Sequence, residues 1–329
     1  MINVSVVVPV YRGALTLLEL VDRLHRTLDS VCPLYELILV NDCSPDKSWE
    51  VICELSEKYD WIKGISLMRN YGQHNALLCG IREARYDVIV TMDDDLQNPP
   101  EEIPKLLRKI EEGYDVVYGT PIKDNHNILR NIASKMTKIA LQGALDVKIA
   151  RYVSAFRAFR TSIRNAFDNY KSPYVSIDVL LVWGTTRFTA VPVHHDQRKS
   201  EQSTYTIGKL ISHAFNMLTG FSTIPLQFAS MVGFILTAFG LCILVYVISV
   251  YLVRGGSVPG FPFLASIIAI FSGAQLLALG IIGEYLARMH FRTIDRPPYV
   301  IREDSKKSEI TIHQPQREYS YYHDRRKTL

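Results

Sequence analysis

The sequence lacks any cysteine pattern: Cys32, Cys43, Cys53, Cys79 and Cys242 form neither a C-x-x-C pair nor an even framework. That excludes a disulfide scaffold and a cysteine zinc site, and predicts free thiols in a reducing compartment. A dense basic face is also missing, the formal net charge being only +4, so a nucleic-acid partner is not expected. The opening "MINVSVVVPVYRG" carries no basic leader and no signal-length apolar core, and no secretion signal is expected from it. There is no repeat at solenoid periods and no low-complexity tract. After the first apolar run stands "PVYRGA", not the Gly-rich G-x-G-T-R loop that a sugar-nucleotide pyrophosphorylase would need. Charge itself is sparse, at 21% of residues against 48% hydrophobic, slightly off the balance of a soluble protein.

That shortage is local. Leu226–Val253, about 28 residues, and Val258–Gly283, about 26, contain no charged side chain, and each is long enough to span a bilayer with some tilt. The intervening "RGGSVPG" leaves room only for a tight turn, so the two runs predict a helical hairpin. An even number of spans puts both ends on one side. Arg288, Arg292, Arg296 and Arg302 outweigh the single Arg254 of the turn, which makes that side the cytoplasm of an inner membrane. Upstream, Ile207–Thr223 has apolar residues at helical spacing and suits a membrane surface. The expected organisation is a soluble domain over residues 1–206, an interfacial helix over 207–225, spans at 226–253 and 258–283, and a basic tail over 284–329.

The first 120 residues alternate short β-rich runs with helix-period segments. Strand candidates are Val4–Val8, Glu36–Val40, Ile62–Leu67, Val88–Met92 and Val116–Tyr118, with a later one at Arg187–Val193. Helices are expected over Leu15–Leu28, Ser48–Lys58, Gln73–Ala84, Glu101–Ile110 and Ile128–Leu141. Apolar strands with little alternation, separated by helices, indicate an α/β fold with a mainly parallel sheet covered on both faces. Ligands bind such sheets at the carboxyl ends of the strands. Here those ends read "PVYRG", "NDCSPD" and "MDDDLQ", a cluster of polar groups on one edge.

Three consecutive carboxylates, Asp93 to Asp95, are the most demanding feature, because they repel one another at neutral pH. On an extended backbone Asp93 and Asp95 would project together and Asp94 the other way. Two such acids can share a hard divalent cation, Mg²⁺ or Mn²⁺, whose remaining positions are filled by water and substrate phosphates. Alone, a D-x-D is equally an acidic turn before the helix near Glu101. Asp42, directly after a buried run, can accept hydrogen bonds from a base or ribose, or simply form a turn.

Taken in order and spacing, "SVVVPVY", "ELILVNDCSPDKS", "LMRNYGQHNALLCGI" and "DDDLQNPPEEIPKL" resemble glycosyltransferase family 2. More narrowly they are similar to bacterial polyprenyl-phosphate glycosyltransferases, relatives of dolichol-phosphate mannose synthase. "GAQLLALGIIGEYLAR" and "RPPY" are similar to the membrane-anchored branch, and the likeness runs to Tyr299. The resemblance implies a GT-A fold, a nucleotide-sugar donor that is a UDP-sugar, a divalent metal, and inverting transfer to undecaprenyl or another polyprenyl phosphate for cell-envelope glycan or lipid. It also implies a homo-oligomer. By that resemblance Pro9 and Tyr11 line the nucleotide, Asp42 contacts the base, Asp93 and Asp95 hold metal and diphosphate, and Gln97 lies near the sugar. Arg130, Ser134, Lys135, Arg157 and Arg198 take the acceptor phosphate, with Ser203 and Tyr205 on the same acceptor loop.

The chain departs from the pattern at Arg12 and Gly13, where the family has Asn-Glu, and at Glu201 and Thr204, where it has glycine and lysine. Asp94 replaces a small residue, and Lys123 is the nearest substitute for an arginine expected after Gly119. The chemistry asks little more. A phosphate monoester with its second pKa near about 6 is already an oxyanion at neutral pH, so no strong general base is required. His194 and His195 could touch substrate or cap the end of a strand, and the second reading is preferred. Two other readings compete: a processive polysaccharide synthase, whose Q-x-x-R-W motif "HHDQRK" does not supply, and a non-catalytic subunit of a lipid-sugar translocation system.

Overall fold

The computed structural model describes residues 2–121, 152–173, 175–196, 224–254, 260–293 and 296–306. The expected helix Ile128–Leu141, the interfacial segment Ile207–Thr223, and Lys123, Arg130, Ser134, Lys135, Arg198, Glu201, Ser203, Thr204 and Tyr205 lie outside the described residues.

The frame is one eight-stranded sheet in the order β7-β5-β6-β4-β1-β2-β3-β8. Its strands are β1 Val4–Val10, β2 Tyr35–Asn41, β3 Ile62–Leu67, β4 Val88–Thr91, β5 Val116–Pro121, β6 Arg157–Arg160, β7 Phe188–Val193 and β8 Ile301–Asp304. β1 shows why the sheet sits inside the molecule. Val4, Val6, Val8 and Val10 enter one apolar cluster, and Val7 enters the other. β2 repeats this, with Leu37 and Leu39 on the first side and Ile38 and Val40 on the second. Both faces of each strand are therefore covered, which is why the sequence runs apolar without alternating. Each such Val, Leu or Ile contributes roughly 1.5–3 kcal/mol through burial.

The first side is covered by α1 Leu17–Val31, α2 Ser48–Lys58 and α4 Ile103–Glu111. α1 buries Leu17, Leu20, Val21, Leu24 and Leu28, the spacing of one helix face. The second side is covered by α3 Gln73–Glu83 and α5 Ile177–Gly184. α3 comes unusually close to β1: a Cβ on Gly80 would stand 2.4 Å from Val7 Cγ1, so glycine sets that approach.

β1 pairs in parallel with β2 and β4, β2 with β3, and β5 with β7. The mainly parallel α/β sheet expected from sequence is thus present. Two strands reverse direction. β6 runs antiparallel between β4 and β5, and β8 runs antiparallel along β3. β8 lies within the stretch expected to be a basic tail. Its junction is held by a Met68 N–H to Val300 O bond of 2.9 Å, by Ser305 N–H to Gly64 O at 2.9 Å, and by Trp49 Nε1–H to Glu303 at 2.8 Å.

Between β7 and β8 lie the helices α6 Ile224–Arg254 and α7 Phe261–Thr293, over the two charge-free runs. They pack together where a Cβ on Gly240 would lie 3.1 Å from the Phe271 ring, a small-residue contact that brings helix backbones close. Among the described residues no helix is long and apolar enough to cross a membrane; the description of α6 and α7 is broken by positions outside it.

Candidate functional site

β4, β1 and β2 are neighbours and parallel, so their carboxyl ends deliver Asp93–Asp95, Tyr11–Ala14 and Asp42 to one edge. The main chain stitches them together: Asp42 N–H donates to Val10 O at 3.0 Å and Met92 N–H to Val7 O at 3.3 Å. Pro9 is buried inside β1, and Tyr11 beyond it is 46% exposed.

The acidic stretch differs from the extended D-x-D expected from sequence. The chain turns at Asp94–Asp95, and Leu96 takes a positive φ of 60°, so the side chains do not simply alternate. Asp93 Oδ1 accepts Gln73 Nε2–H at 2.5 Å. Asp95 Oδ1 accepts the Gln97 N–H at 3.1 Å. Asp94 Oδ2 faces the first strand and accepts the Tyr11 N–H at 3.3 Å. Burial and then the neighbouring Asp93 charge push the Asp94 carboxyl up to about 7. The repulsion is eased by sending the three carboxylates to three different partners. Gln97 O in turn accepts the Asp196 N–H at 2.8 Å, which ties the end of β7 to this turn. His194 N–H donates to Glu102 at 3.3 Å, and His195 Nδ1 lies 3.4 Å from Asn98 Oδ1. Both histidines thus sit at the end of β7, as expected.

Asp42 is 3% exposed, and its two oxygens accept the Tyr71 and Gly72 N–H groups at 2.7 and 2.8 Å. Burial pushes this carboxyl up, while the two amides pull the other way. It holds the loop that leads into α3, and α3 carries Gln73 to Asp93. Arg69 lies 4.5 Å from the centre of the Tyr71 ring on the same loop.

Arg157, expected at the acceptor phosphate, is 1% exposed. It stands on β6 opposite Thr91, donates Nε–H to Thr91 Oγ1 at 2.9 Å, and pairs with Asp178 of α5. Tyr118 Oη–H donates to the same Asp178 oxygen at 3.1 Å. Burial opposes the Arg157 charge, but Asp178, Tyr118 and, more weakly, Asp93 hold it up. The Asp93 charge of the acidic turn thus acts weakly on Arg157.

Sequence reasoning missed Asp178 and Gln73. Asp178 had a signal: a lone acid in "SIDVLLVW" sits in a helix packed on the core and must find a cation. Gln73 had only its place at the start of α3.

For a divalent cation the donors are hard oxygens, and the described residues contain no group of three metal-ligating side chains. Two carboxylates completed by water and substrate oxygens match the way Mg²⁺ is held, so Asp93 and Asp95 fit the expected ion. A cavity of about 580 Å³ lies at the amino end of the sheet, beside Lys63, Arg82, Arg164 and Lys306. Those cations already serve Glu83 and Asp304, backbone carbonyls, and Asp60.

The family model described as glycosyl transferase family 2 matches residues 5–167, from β1 through β6. A protein of Shewanella sediminis, undecaprenyl-phosphate 4-deoxy-4-formamido-L-arabinose transferase, is 38% identical over 306 residues, covering 91% of this chain and 92% of that one. Among solved structures, glucosyl-3-phosphoglycerate synthase from Mycobacterium tuberculosis, in complex with Mn²⁺, UDP-glucose and phosphoglyceric acid, aligns with a TM-score of 0.50. That alignment has 16% identity and covers 67% of this chain and 79% of that one; it shows the fold alone.

Proposed function

This chain belongs to glycosyltransferase family 2, and from that premise we propose that it transfers a sugar from a nucleoside diphosphate, a UDP-sugar, to undecaprenyl phosphate at the cytoplasmic face of a membrane. The observation that carries the reading is the 38% identity to an undecaprenyl-phosphate sugar transferase over 91% of the chain.

The donor's base and ribose lie against Tyr11 and the loop that Asp42 holds, with Pro9 stiffening the strand beneath. The diphosphate lies over Asp93 and Asp95, and Gln97 reaches the sugar. A divalent cation bound there supplies charge neutralisation for the departing nucleoside diphosphate. The chain's own contribution is orientation. Gln73 fixes the Asp93 carboxylate, and the Arg157 charge favours that carboxylate weakly. The acceptor phosphate is already ionised, so positioning and charge balance suffice, without a strong base. Attack on the anomeric carbon opposite the leaving diphosphate inverts its configuration. We assign Arg130, Ser134, Lys135 and Arg198 to that phosphate; arginine suits it because its fork can bind two phosphate oxygens. Buried in its pair with Asp178, Arg157 is assigned a supporting role.

The membrane part of the proposal rests on length, sequence and topology. α6 has 31 residues and α7 has 33; at 1.5 Å per residue either exceeds the roughly 30 Å hydrocarbon core. The chain leaves the sheet after β7 and rejoins it at β8, so the excursion begins and ends on one side, as a hairpin of two spans requires. A homo-oligomer fits the anchored form.

Membranes carrying the protein, incubated with undecaprenyl phosphate and a panel of labelled UDP-sugars, test the proposal. Formation of one labelled lipid product from one donor supports it and identifies the sugar. Polymer growth would favour a processive synthase, and no transfer from any donor would favour a non-catalytic subunit.

A further inference from the structure

The turn after β1 is held in a way the proposed reaction does not by itself require. Four consecutive main-chain N–H groups, Tyr11 to Ala14, each donate to a side chain. Tyr11 donates to Asp94 Oδ2 at 3.3 Å, Arg12 to Ser44 Oγ at 2.7 Å, Gly13 to Ser48 Oγ at 3.0 Å and Ala14 to Asp46 Oδ2 at 3.3 Å. Asp46 Oδ1 accepts from both serines at 2.5 Å, so three of the four acceptors form one connected group on the β2–α2 loop. The fourth, Asp94, comes from the far side, off β4. A run of amides like this could cradle an anion; here protein oxygens already occupy it. Arg12 is kept at φ 60°, a conformation costly for a side chain with a Cβ unless its surroundings hold it.

Asp94 and Gly13 fit only as a pair. A Cβ on Gly13 would stand 2.3 Å from Asp94 Oδ2, 3.1 Å from its Cγ and 3.1 Å from Val10 Cγ1. The oxygen occupies the space that any residue other than glycine would fill. Val10 Cγ1 bounds the same space, and an Asp94 side chain that moved off Gly13 would give up the Tyr11 amide it accepts.

We propose that Asp94 is a positioning residue: seated over Gly13, it locks the turn after β1 and so sets Tyr11 and Arg12 for the donor nucleotide. The purpose rests on the donor reading above; the lock itself does not. The role explains a third acid in the site without giving it a metal. It also leaves no amide of Tyr11–Ala14 for the donor diphosphate, whose charge falls to the carboxylate-held cation and to side chains.

The test uses the full chain in bilayers, with Gly13→Ala, Asp94→Ala, Asp94→Asn and the double variant Gly13→Ala/Asp94→Ala. Asp94→Ala removes one hydrogen bond, so donor KM should rise about fivefold while kcat stays within about twofold. Asp94→Asn keeps the acceptor oxygen and should remain within about twofold of wild type on both. Gly13→Ala should raise donor KM at least as much, and adding Asp94→Ala to it should cost nothing further, because the two act as one unit. Donor KM unchanged in Asp94→Ala, or Asp94→Asn as impaired as Asp94→Ala, overturns the proposal. Melting temperature judges the lock with no substrate present. The double variant should melt above Gly13→Ala alone, because the clash is gone; a lower value overturns the lock. If wild type transfers no sugar, the functional reading fails, and this thermal comparison still decides the lock.

Discussion

The sheet and the α6–α7 hairpin are built from the same kinds of side chain and treat them in opposite ways. In β2, Leu37, Ile38 and Leu39 are 0% exposed, whereas in the helices Phe234 and Leu252 are each 76% exposed and Leu276 69%. The sheet satisfies its apolar residues internally, with helices on both faces. Among the described residues the two hairpin helices pack on each other and many of their large apolar side chains are exposed. A monomeric soluble protein rarely exposes apolar surface on that scale, and under the membrane proposal above the two regions would face different solvents, water around the sheet domain and lipid around the hairpin. The junctions at β7 and β8 connect them, and the carboxyl edge with its acidic turn is the part where a water-borne donor could meet a lipid-borne acceptor.

The comparison breaks most visibly if a charge is placed in each region. Val7→Asp puts an unpaired carboxylate between β1 and α3 and should cost more than about 4 kcal/mol, abolishing the folded domain; circular dichroism and protease resistance would show it. A folded, protease-resistant Val7→Asp protein would mean that the second face of the sheet is not sealed. Arg157→Met attacks the same region through its polar centre. It leaves Asp178 buried without its cation and should destabilise by roughly 3–5 kcal/mol, read as a lowered denaturation midpoint. An unchanged midpoint would show that the pair contributes nothing to the sheet. In the hairpin, Ile235→Asp should cost about 2.5–3.5 kcal/mol on membrane insertion yet leave the sheet domain folded. Resistance to carbonate extraction measures the first effect and protease resistance the second; loss of both together would erase the distinction drawn here.

The smallest expected effect concerns the β1 turn. Burial pushes the Asp46 carboxyl up, but the bonds it accepts from Ser44, Ser48 and Ala14 outweigh that and hold it below its usual value. An acid depressed in the folded state lends stability that is present above the unfolded value and lost as pH falls through the folded one. Wild type should therefore lose stability below about pH 4 more steeply than Asp46→Asn; urea midpoints at pH 5 and pH 3 compare them. Equal slopes would remove Asp46 from the turn's support.

Much of this was legible beforehand, for reasons that differ by element. β1 and β2 carry the apolar runs "VVV" and "LILV", buried on both faces, so composition marks them directly. α1 and α4 show one-sided apolar spacing. β6 and β8 are four residues each and carry charged side chains in "RAFR" and "IRED"; their strand character comes from partners distant in the chain, which no local pattern encodes. The site divides in the same way. Asp42, Asp93 and Asp95 announce themselves by following buried runs. The bond of Asp94 to the Tyr11 amide spans 83 residues of sequence and the pairing of Arg157 with Asp178 spans 21; these, like the partnership of Asp94 with Gly13, are set only when the strands align. Arg157 illustrates the difficulty well: a motif match indicates proximity to the site, and only packing shows that its guanidinium is enclosed.

The central claim is that the carboxyl edge transfers sugar onto a lipid phosphate. It is tested most directly by giving the purified full chain in bilayers a labelled UDP-sugar, the one its donor panel selects, with either undecaprenyl phosphate or undecaprenol. The account predicts a labelled lipid only with the phosphate, one nucleoside diphosphate released per sugar transferred, and a loss of about a hundredfold or more in Asp95→Ala. Equal transfer to undecaprenol, or undiminished transfer by Asp95→Ala, would contradict it.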